Sequence, residues 1–202
     1  MKTRRNFLKQ AAMLGAGVAG GILLSKRAGG AAIDPVLIAN PDEMEVKPAA
    51  RKMKLVIGSD HAGYPLKVRL LPSLKKMGHD VTDMGSYDPN PVDFPDICEK
   101  VGAAILNGEA ERGIMFCGTG VGAAIACNKI PRVRAAVCHD IFTAHQCVEH
   151  DDAQVMTLGN QIVGYSVALE YIQAFLAATF STEEQFRRRV KKIEMLEAQR
   201  KR

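Results

Sequence analysis

The residues with the clearest chemical potential are a cysteine and the glycine-rich segment that follows it. Cys117 comes directly after the apolar run 113–116 and opens the segment 117–122, which reads CGTGVG. A glycine loop between a strand and a helix lets successive backbone N–H groups converge on an anion or oxyanion, helped by the helix N-terminus. The same field lowers the pKa of a thiol held beside it. The sequence therefore predicts a thiolate at Cys117 that could act as a base or a nucleophile.

Two further groups of polar residues stand at the ends of predicted elements. Asp60 and His61 follow the short apolar run 55–57, and His150 lies in a predicted His-Asp-Asp turn ahead of the run 155–158. In open α/β sheets, ligands bind at the carboxyl ends of the strands. We expect these side chains to join Cys117 in one site.

Short buried strands alternate with amphipathic helices along the chain, which predicts an α/β fold with a doubly wound, Rossmann-like, five-stranded parallel sheet. The predicted strands lie at 55–57, 81–84, 113–116, 135–138 and 155–158, and the helices at 66–77, 96–106, 123–128, 142–148, 166–178 and about 182–200. Ser181 and Glu184 have the spacing of a capping box that would start the last helix. Phe186, Val190 and Ile193 fall on one apolar stripe of that helix, which continues to Leu196.

The composition fits one globular domain, which we expect at residues 53–202. The chain has 202 residues, of which 47% are hydrophobic and 24% charged, and this excludes a disordered, collagen-like or disulfide-scaffold protein. The net charge of +5 includes six basic residues within 1–32, where no acidic residue occurs, so the remainder is close to neutral. The basic pI is therefore no sign of a nucleic-acid partner.

Residues 1–32 have the pattern of an export signal: a basic head, an apolar run and then small residues. Residues 3–9, TRRNFLK, resemble the twin-arginine signal, which predicts passage through the twin-arginine translocase to the periplasm. The protein would be cytoplasmic if this segment were not a signal. Residues 33–52 are predicted to be a linker. The five cysteines lie outside the signal, and export after folding would leave them as free thiols.

The glycine loop also matches a dinucleotide-binding pattern, with Gly118, Gly120 and Ala123 followed by Asp140. The motif falls on the third predicted strand, and the chain after Asp140 is too short for the remaining strands and a substrate domain. We therefore reject this alternative.

Several motifs taken together resemble the ribose-5-phosphate isomerase B family, which includes the galactose-6-phosphate isomerase subunits. They lie between Lys54 and Lys192 and read GSDHAG (58–63), DFP (93–95), CGTGVG (117–122), NK (128–129) and EHD (149–151). The resemblance implies an aldose–ketose isomerase that works through an enediolate without a metal or other cofactor. It also implies a homodimer, or a tetramer of such dimers, with each site completed by the partner and the last helix used in dimerisation.

The resemblance also assigns roles to residues. Cys117 would be the base, Thr119 would help to stabilise the enediolate, and His150 would open the sugar ring. The substrate-binding positions would be Asp60, His61, Gly118, Gly120, Val121, Gly122, Asn128, Asp151, Gln161, Gln185 and Arg189.

The chain departs from the family pattern where phosphate would bind. Gln161 and Gln185 replace two arginines, Phe186 replaces a histidine, Asp151 replaces an asparagine, and Arg189 keeps the pattern. Losing two guanidinium groups removes charge-assisted binding of a phosphate dianion. Together with the export signal, this predicts a non-phosphorylated or modified sugar as substrate. The alternatives are ribose 5-phosphate isomerisation, a non-catalytic sugar-binding module, and a cysteine hydrolase with Cys117 as nucleophile and His150 as base.

Overall fold

A computed structural model describes Val46 and residues 48–199, which form one five-stranded parallel sheet with helices on both faces. The strands are β1 (Lys54–Ser59), β2 (Asp80–Asp83), β3 (Arg112–Cys117), β4 (Ala135–Val137) and β5 (Val155–Gly159). The helices are α1 (Tyr64–Lys76), α2 (Phe94–Leu106), α3 (Val121–Cys127), α4 (Ile141–Asp151), α5 (Tyr165–Ala177) and α6 (Glu184–Gln199). The predicted α/β fold is confirmed.

The core consists of two apolar layers because successive strand residues point to opposite faces of the sheet. Leu55 and Ile57 pack in the layer shared with α1, α4 and α5, whereas Val56 packs in the layer shared with α2 and α3. In β3 the same alternation puts Phe116 in the first layer and Cys117 in the second.

The strand order places the ends of three strands side by side. The order is β2-β1-β3-β5-β4. The second strand therefore lies on one side of β1, and the three later strands lie on its other side. Ser59 pairs with Phe116, and Cys117 pairs with Gly159. The ends of β1, β3 and β5 therefore meet at the reversal point, where doubly wound sheets form a ligand crevice.

Helix α4 is longer than predicted, and this corrects the position of His150. The helix runs from Ile141 to Asp151 and ends at Asp152, whose φ of +49° is left-handed. The side chain of Arg134 pairs with the Asp152 carboxylate at 2.6 Å. His150 thus lies in the last turn of a helix and not in a turn between elements.

The last helix begins without the predicted capping box. The Ser181 hydroxyl accepts a hydrogen bond from the Glu183 N–H at 3.1 Å, and α6 starts at Glu184. The predicted apolar stripe is buried only in its first half, since Phe186 and Val190 are buried while Ile193 and Leu196 are 43% and 61% exposed.

The predicted export signal lies outside the described residues. Of the predicted linker, Val46 is buried in the core and the Ala49 N–H donates to the Met77 carbonyl at 2.9 Å. Among the residues that the structure describes, no helix is both long and apolar enough to cross a membrane.

Candidate active site

Cys117 and Asp60 meet at the carboxyl ends of β3 and β1. The Cys117 thiol donates a hydrogen bond to Asp60 Oδ2 at 2.9 Å, and Gly63 N–H donates to Asp60 Oδ1 at 2.8 Å. The Asp60 N–H in turn donates to the Phe116 carbonyl at 3.1 Å. Asp60 was predicted only to bind substrate, whereas both of its carboxylate oxygens already have a partner within the protein.

The loop between β1 and α1 lies directly on the backbone of β3. A Cβ atom added to Gly63 would stand 2.1–2.4 Å from the backbone atoms of Phe116 and Cys117. No real Cβ tolerates such distances, so only glycine lets the Asp60 loop approach the Cys117 sulfur this closely.

The glycine loop after Cys117 has the predicted form and leads into α3. Gly120 has a left-handed φ of +79°, and its carbonyl accepts a hydrogen bond from the buried Thr157 hydroxyl at 2.9 Å. Thr119 is exposed, and its Oγ1 accepts weakly from the Val121 N–H at 3.4 Å. The loop therefore presents backbone N–H groups and one hydroxyl on the side of Cys117, as an oxyanion site requires.

The electrostatics at Cys117 reverse the prediction of a lowered pKa. The backbone N–H groups of Gly118 and Gly120 lower the pKa of Cys117, as predicted. Burial raises this pKa more strongly, and the hydrogen bond and negative charge of Asp60 raise it further. The net pKa of Cys117 is raised, so the resting group is a thiol and its ionised form is a stronger base.

Replacing Asp60 with asparagine is expected to move the acid limb of the pH profile to lower pH. If the thiolate is the base, kcat/KM rises with pH through the pKa of Cys117, and the Asp60 charge raises that pKa. The variant keeps the size of the side chain but loses the charge, so its limb should lie below that of the native protein. The measurement is kcat/KM against pH. Asp96→Asn, at an exposed position on α2, is the control, and an unmoved limb in Asp60→Asn would contradict this account.

Gln161 and the neighbouring Asn160 complete this edge of the sheet. Gln161 Oε1 lies 3.5 Å from the position that a Cβ on Gly118 would take. Asn160 N–H donates to the Cys117 carbonyl, and Asn160 Nδ2 donates to the Ala62 carbonyl, both at 2.9 Å. Asn160 was not among the predicted site residues, although its position directly after β5 was a signal. Exposed His61 lies beside Asp60 on the same edge.

His150 lies at the opposite edge of the sheet from Cys117. Helix α4 runs from the carboxyl end of β4 to the amino end of β5, so its last turn stands at the amino ends of the strands. Arg134, directly before β4, confirms this position because its Nε donates to the carbonyl of Asp151, beside His150, at 3.0 Å. Within one chain, His150 and Cys117 therefore lie at opposite edges of the sheet and do not meet.

The ring of His150 has defined neighbours on α4 and α6. It stacks on Phe186 with a centroid distance of 3.9 Å and an interplanar angle of 12°. Its Nδ1 is 2.7 Å from Gln146 Nε2, and its Nε2 is 3.6 Å from Glu149 Oε2. The guanidinium of Arg189 lies 5.6 Å from the Phe186 ring centre. His150, Phe186 and Arg189 thus form one group, which we call the His150 cluster.

Gln185 and Asp151 belong to the same end of the molecule. Gln185 Nε2 donates to Glu183 Oε2 at 2.7 Å at the start of α6, and Asp151 is the exposed last residue of α4.

The side chain of Asn128, a predicted substrate-binding residue, joins two elements of the fold. Its side-chain amide donates to the carbonyls of Ala124 and Ala135 at 2.9 and 2.8 Å and accepts from the Ala135 N–H at 2.9 Å. Both groups of the amide therefore serve to join the end of α3 to the first residue of β4.

Within the described residues, no group of three or more His, Cys, Asp or Glu side chains could hold a metal ion.

A doubly wound sheet with a cysteine–carboxylate pair and an N–H-lined loop at its reversal point has the groups that proton transfer at a carbon next to a carbonyl requires. The family model for ribose/galactose isomerases matches residues 55–193, so the chain belongs to that family and is an aldose–ketose isomerase.

Comparisons with individual proteins agree with the family model. The chain is 41% identical over 129 residues to ribose-5-P isomerase B of Listeria innocua, covering 64% of this chain and 87% of the relative. It is 40% identical over 131 residues to D-erythrulose-4-phosphate isomerase of Pectobacterium atrosepticum, covering 63% and 85%. The solved structure of ribose-5-phosphate isomerase B from Clostridium thermocellum superposes with a TM-score of 0.71 at 44% identity, covering 73% of this chain and 99% of that one.

Proposed function

We propose that this isomerase interconverts a non-phosphorylated or modified aldose and its ketose, at a site completed by a second copy of the chain. The observation that carries the chemistry is the 2.9 Å hydrogen bond from Cys117 to Asp60 beside the glycine loop. Ionised Cys117 takes the proton from C2 of the open sugar and returns it to C1. The N–H groups of Gly118 and Gly120 stabilise the enediolate oxygen, whose charge is largest in the transition state.

The separation of Cys117 from His150 supports a site made by two chains. Ring opening by His150 needs this residue at the sugar bound near Cys117, yet within one chain the two lie at opposite edges of the sheet. A two-fold arrangement solves this, because each carboxyl edge then faces the partner's His150 cluster. The exposed apolar residues Ile193, Met195 and Leu196 of α6 offer the contact area for such a dimer.

Mixing two inactive variants is expected to restore activity. Cys117→Ala and His150→Ala each leave every site of a homodimer without one group. A mixed dimer has one site with both defects and one intact site, so random exchange of subunits should restore about a quarter of native activity. The measurement is turnover after mixing, unfolding and refolding the two variants together. Mixing Cys117→Ala with Cys117→Ser is the control, and no recovery in the first mixture would contradict a shared site.

The side chains at the family's phosphate positions support a substrate without a phosphate. Gln161 and Gln185 carry no charge, and the two nearby arginines that could replace them are already engaged. Arg187 lies over the Phe180 ring at 5.0 Å, and Arg188 pairs with Glu184 at 3.3 Å. Arg189 is the one family arginine of the three that this chain keeps, and one guanidinium binds a dianion far less well than three.

Export to the periplasm would fit this substrate. Residues 1–32 carry the twin-arginine pattern, and an exported enzyme meets free sugars, whereas sugar phosphates are cytosolic. Translocation after folding in the cytosol would leave Cys117 as a thiol.

The test is proton exchange at C2 of aldoses and at C1 of ketoses, followed by NMR in deuterated water with ribose 5-phosphate and a panel of free aldoses and ketoses. We expect exchange with a free or modified sugar, and exchange with ribose 5-phosphate alone would overturn the proposed substrate. The double variant Gln161→Arg/Gln185→Arg should raise kcat/KM for ribose 5-phosphate at least about tenfold, because hydrogen bonds to charged groups contribute about 1.5–3 kcal/mol each. Gln161→Leu/Gln185→Leu is the matched control without charge.

A further inference from the structure

The five cysteines of the chain are all buried free thiols, and four of them lie in two neighbouring pairs away from the Asp60 carboxylate. The Sγ atoms of Cys138 and Cys147 are 3.8 Å apart. Cys98 and Cys127 lie in the other core layer, where the Cys98 thiol donates to the Ala123 carbonyl at 3.6 Å. Cys117 is thus the one cysteine with a carboxylate as partner and not a second thiol.

The pair Cys138–Cys147 joins two elements that position the His150 cluster. Cys138 directly follows β4, and Cys147 lies on α4 one turn before His150. The sulfur of Cys138 lies 3.7 Å from the Ala136 carbonyl, and that of Cys147 lies 3.5 Å from the Ala144 carbonyl. The two thiols thus contact each other, one from the end of a strand and the other from a helix.

The two thiols differ in their readiness to ionise. The hydrogen bond from Cys138 lowers the pKa of Cys147 and outweighs burial and the negative charge of Asp151, which raise it, while the positive charge of Arg112 also lowers it. The hydrogen bond to Cys147 and burial raise the pKa of Cys138. One partner thus tends to be the thiolate nucleophile and the other the thiol, the division of roles that thiol–disulfide exchange needs.

We propose that Cys138 and Cys147 form an intrachain disulfide when the protein meets a small-molecule disulfide oxidant. The Cys147 thiolate attacks one sulfur of the oxidant, forms a mixed disulfide and releases the other half as a thiolate. Cys138 then loses its proton, attacks the Cys147 sulfur and displaces the second half. The two protein thiols give up two electrons and two protons, and the oxidant becomes two thiols.

The geometry allows this bond with a small local change. The sulfurs must approach from 3.8 Å to a bond length of about 2.05 Å, and we expect side-chain rotation and a small shift of α4 to close this gap. The new bond closes a short loop between β4 and α4, so it restricts the unfolded chain and stabilises the fold. This inference does not depend on the sugar or on the partner subunit.

The experiment exposes the full chain to a series of glutathione redox ratios, alkylates the remaining thiols in denaturant, and maps the peptides by mass spectrometry. We expect two of the five thiols to become protected as a Cys138–Cys147 link that dithiothreitol reverses. The melting temperature should rise by about 5 °C in the oxidised protein.

Variants separate this bond from other oxidation. Cys117→Ser should form the same link, and neither Cys138→Ser nor Cys147→Ser should gain the rise in melting temperature. If a serine variant does not fold, the peptide map of the native chain still decides. Five alkylated thiols throughout, glutathione adducts without a link, or a Cys98–Cys127 link alone would overturn the proposal.

Discussion

Replacing Cys117 with serine should lower kcat/KM for isomerisation by about 10³-fold or more. One positioned acid–base group contributes about 10²–10⁴-fold to a rate. The serine hydroxyl is close in size and can still donate to Asp60, so the ends of β1 and β3 should stay in place. A hydroxyl, however, has a far higher pKa than a thiol and is not ionised at neutral pH. The variant should bind sugar but fail to remove the C2 proton.

The measurement is the rate of C2 proton exchange, with the thermal unfolding midpoint recorded in parallel. Cys127→Ala is the matched control, since Cys127 is a buried cysteine of the same core layer on the adjoining helix α3. It should cost some stability but leave exchange near the native rate. Undiminished exchange in Cys117→Ser would mean that another group takes the proton.

Replacing Gly63 with alanine should have the largest effect on the fold, a loss of about 4 kcal/mol or more in the free energy of unfolding. The added Cβ would lie 2.1 Å from the Phe116 carbonyl carbon and 2.4 Å from the Cys117 nitrogen. These are backbone atoms at the centre of the sheet, so no side-chain rotation relieves the clash. The φ of Gly63 is −86°, which alanine adopts freely, so the effect is steric and not conformational.

Chemical denaturation of Gly63→Ala checks this value, together with C2 exchange in whatever fraction folds. Gly164→Ala is the matched control, because Gly164 also precedes a helix, has an ordinary φ of −80°, and a Cβ there would meet no described atom within 4 Å. The control should change stability by less than about 0.5 kcal/mol. A Gly63→Ala protein as stable as the control would refute the close contact between the Asp60 loop and β3.

Local patterns were sufficient to predict most of the elements that carry the chemistry. Apolar runs of strand length, helical periodicity and the glycines after Cys117 depend on neighbours within a few residues, and the structure keeps these elements in their predicted order. The ends of the elements were predicted less accurately. The extension of α4 through His150 depends on Asp152 adopting a left-handed φ and pairing with Arg134, and no local pattern reports that contact.

The motifs were also sufficient to identify the family and to single out Cys117. Both inferences depend only on residue types in a fixed order along the chain. The tertiary structure alone decided the state of Cys117, because Asp60 is distant in sequence and reaches the sulfur only when β1 and β3 pair. It also decided that His150 lies at the other edge of the sheet. Charge, burial and the direction of each connecting helix act through space, so they follow from how the strands are ordered and not from the order of residues along the chain.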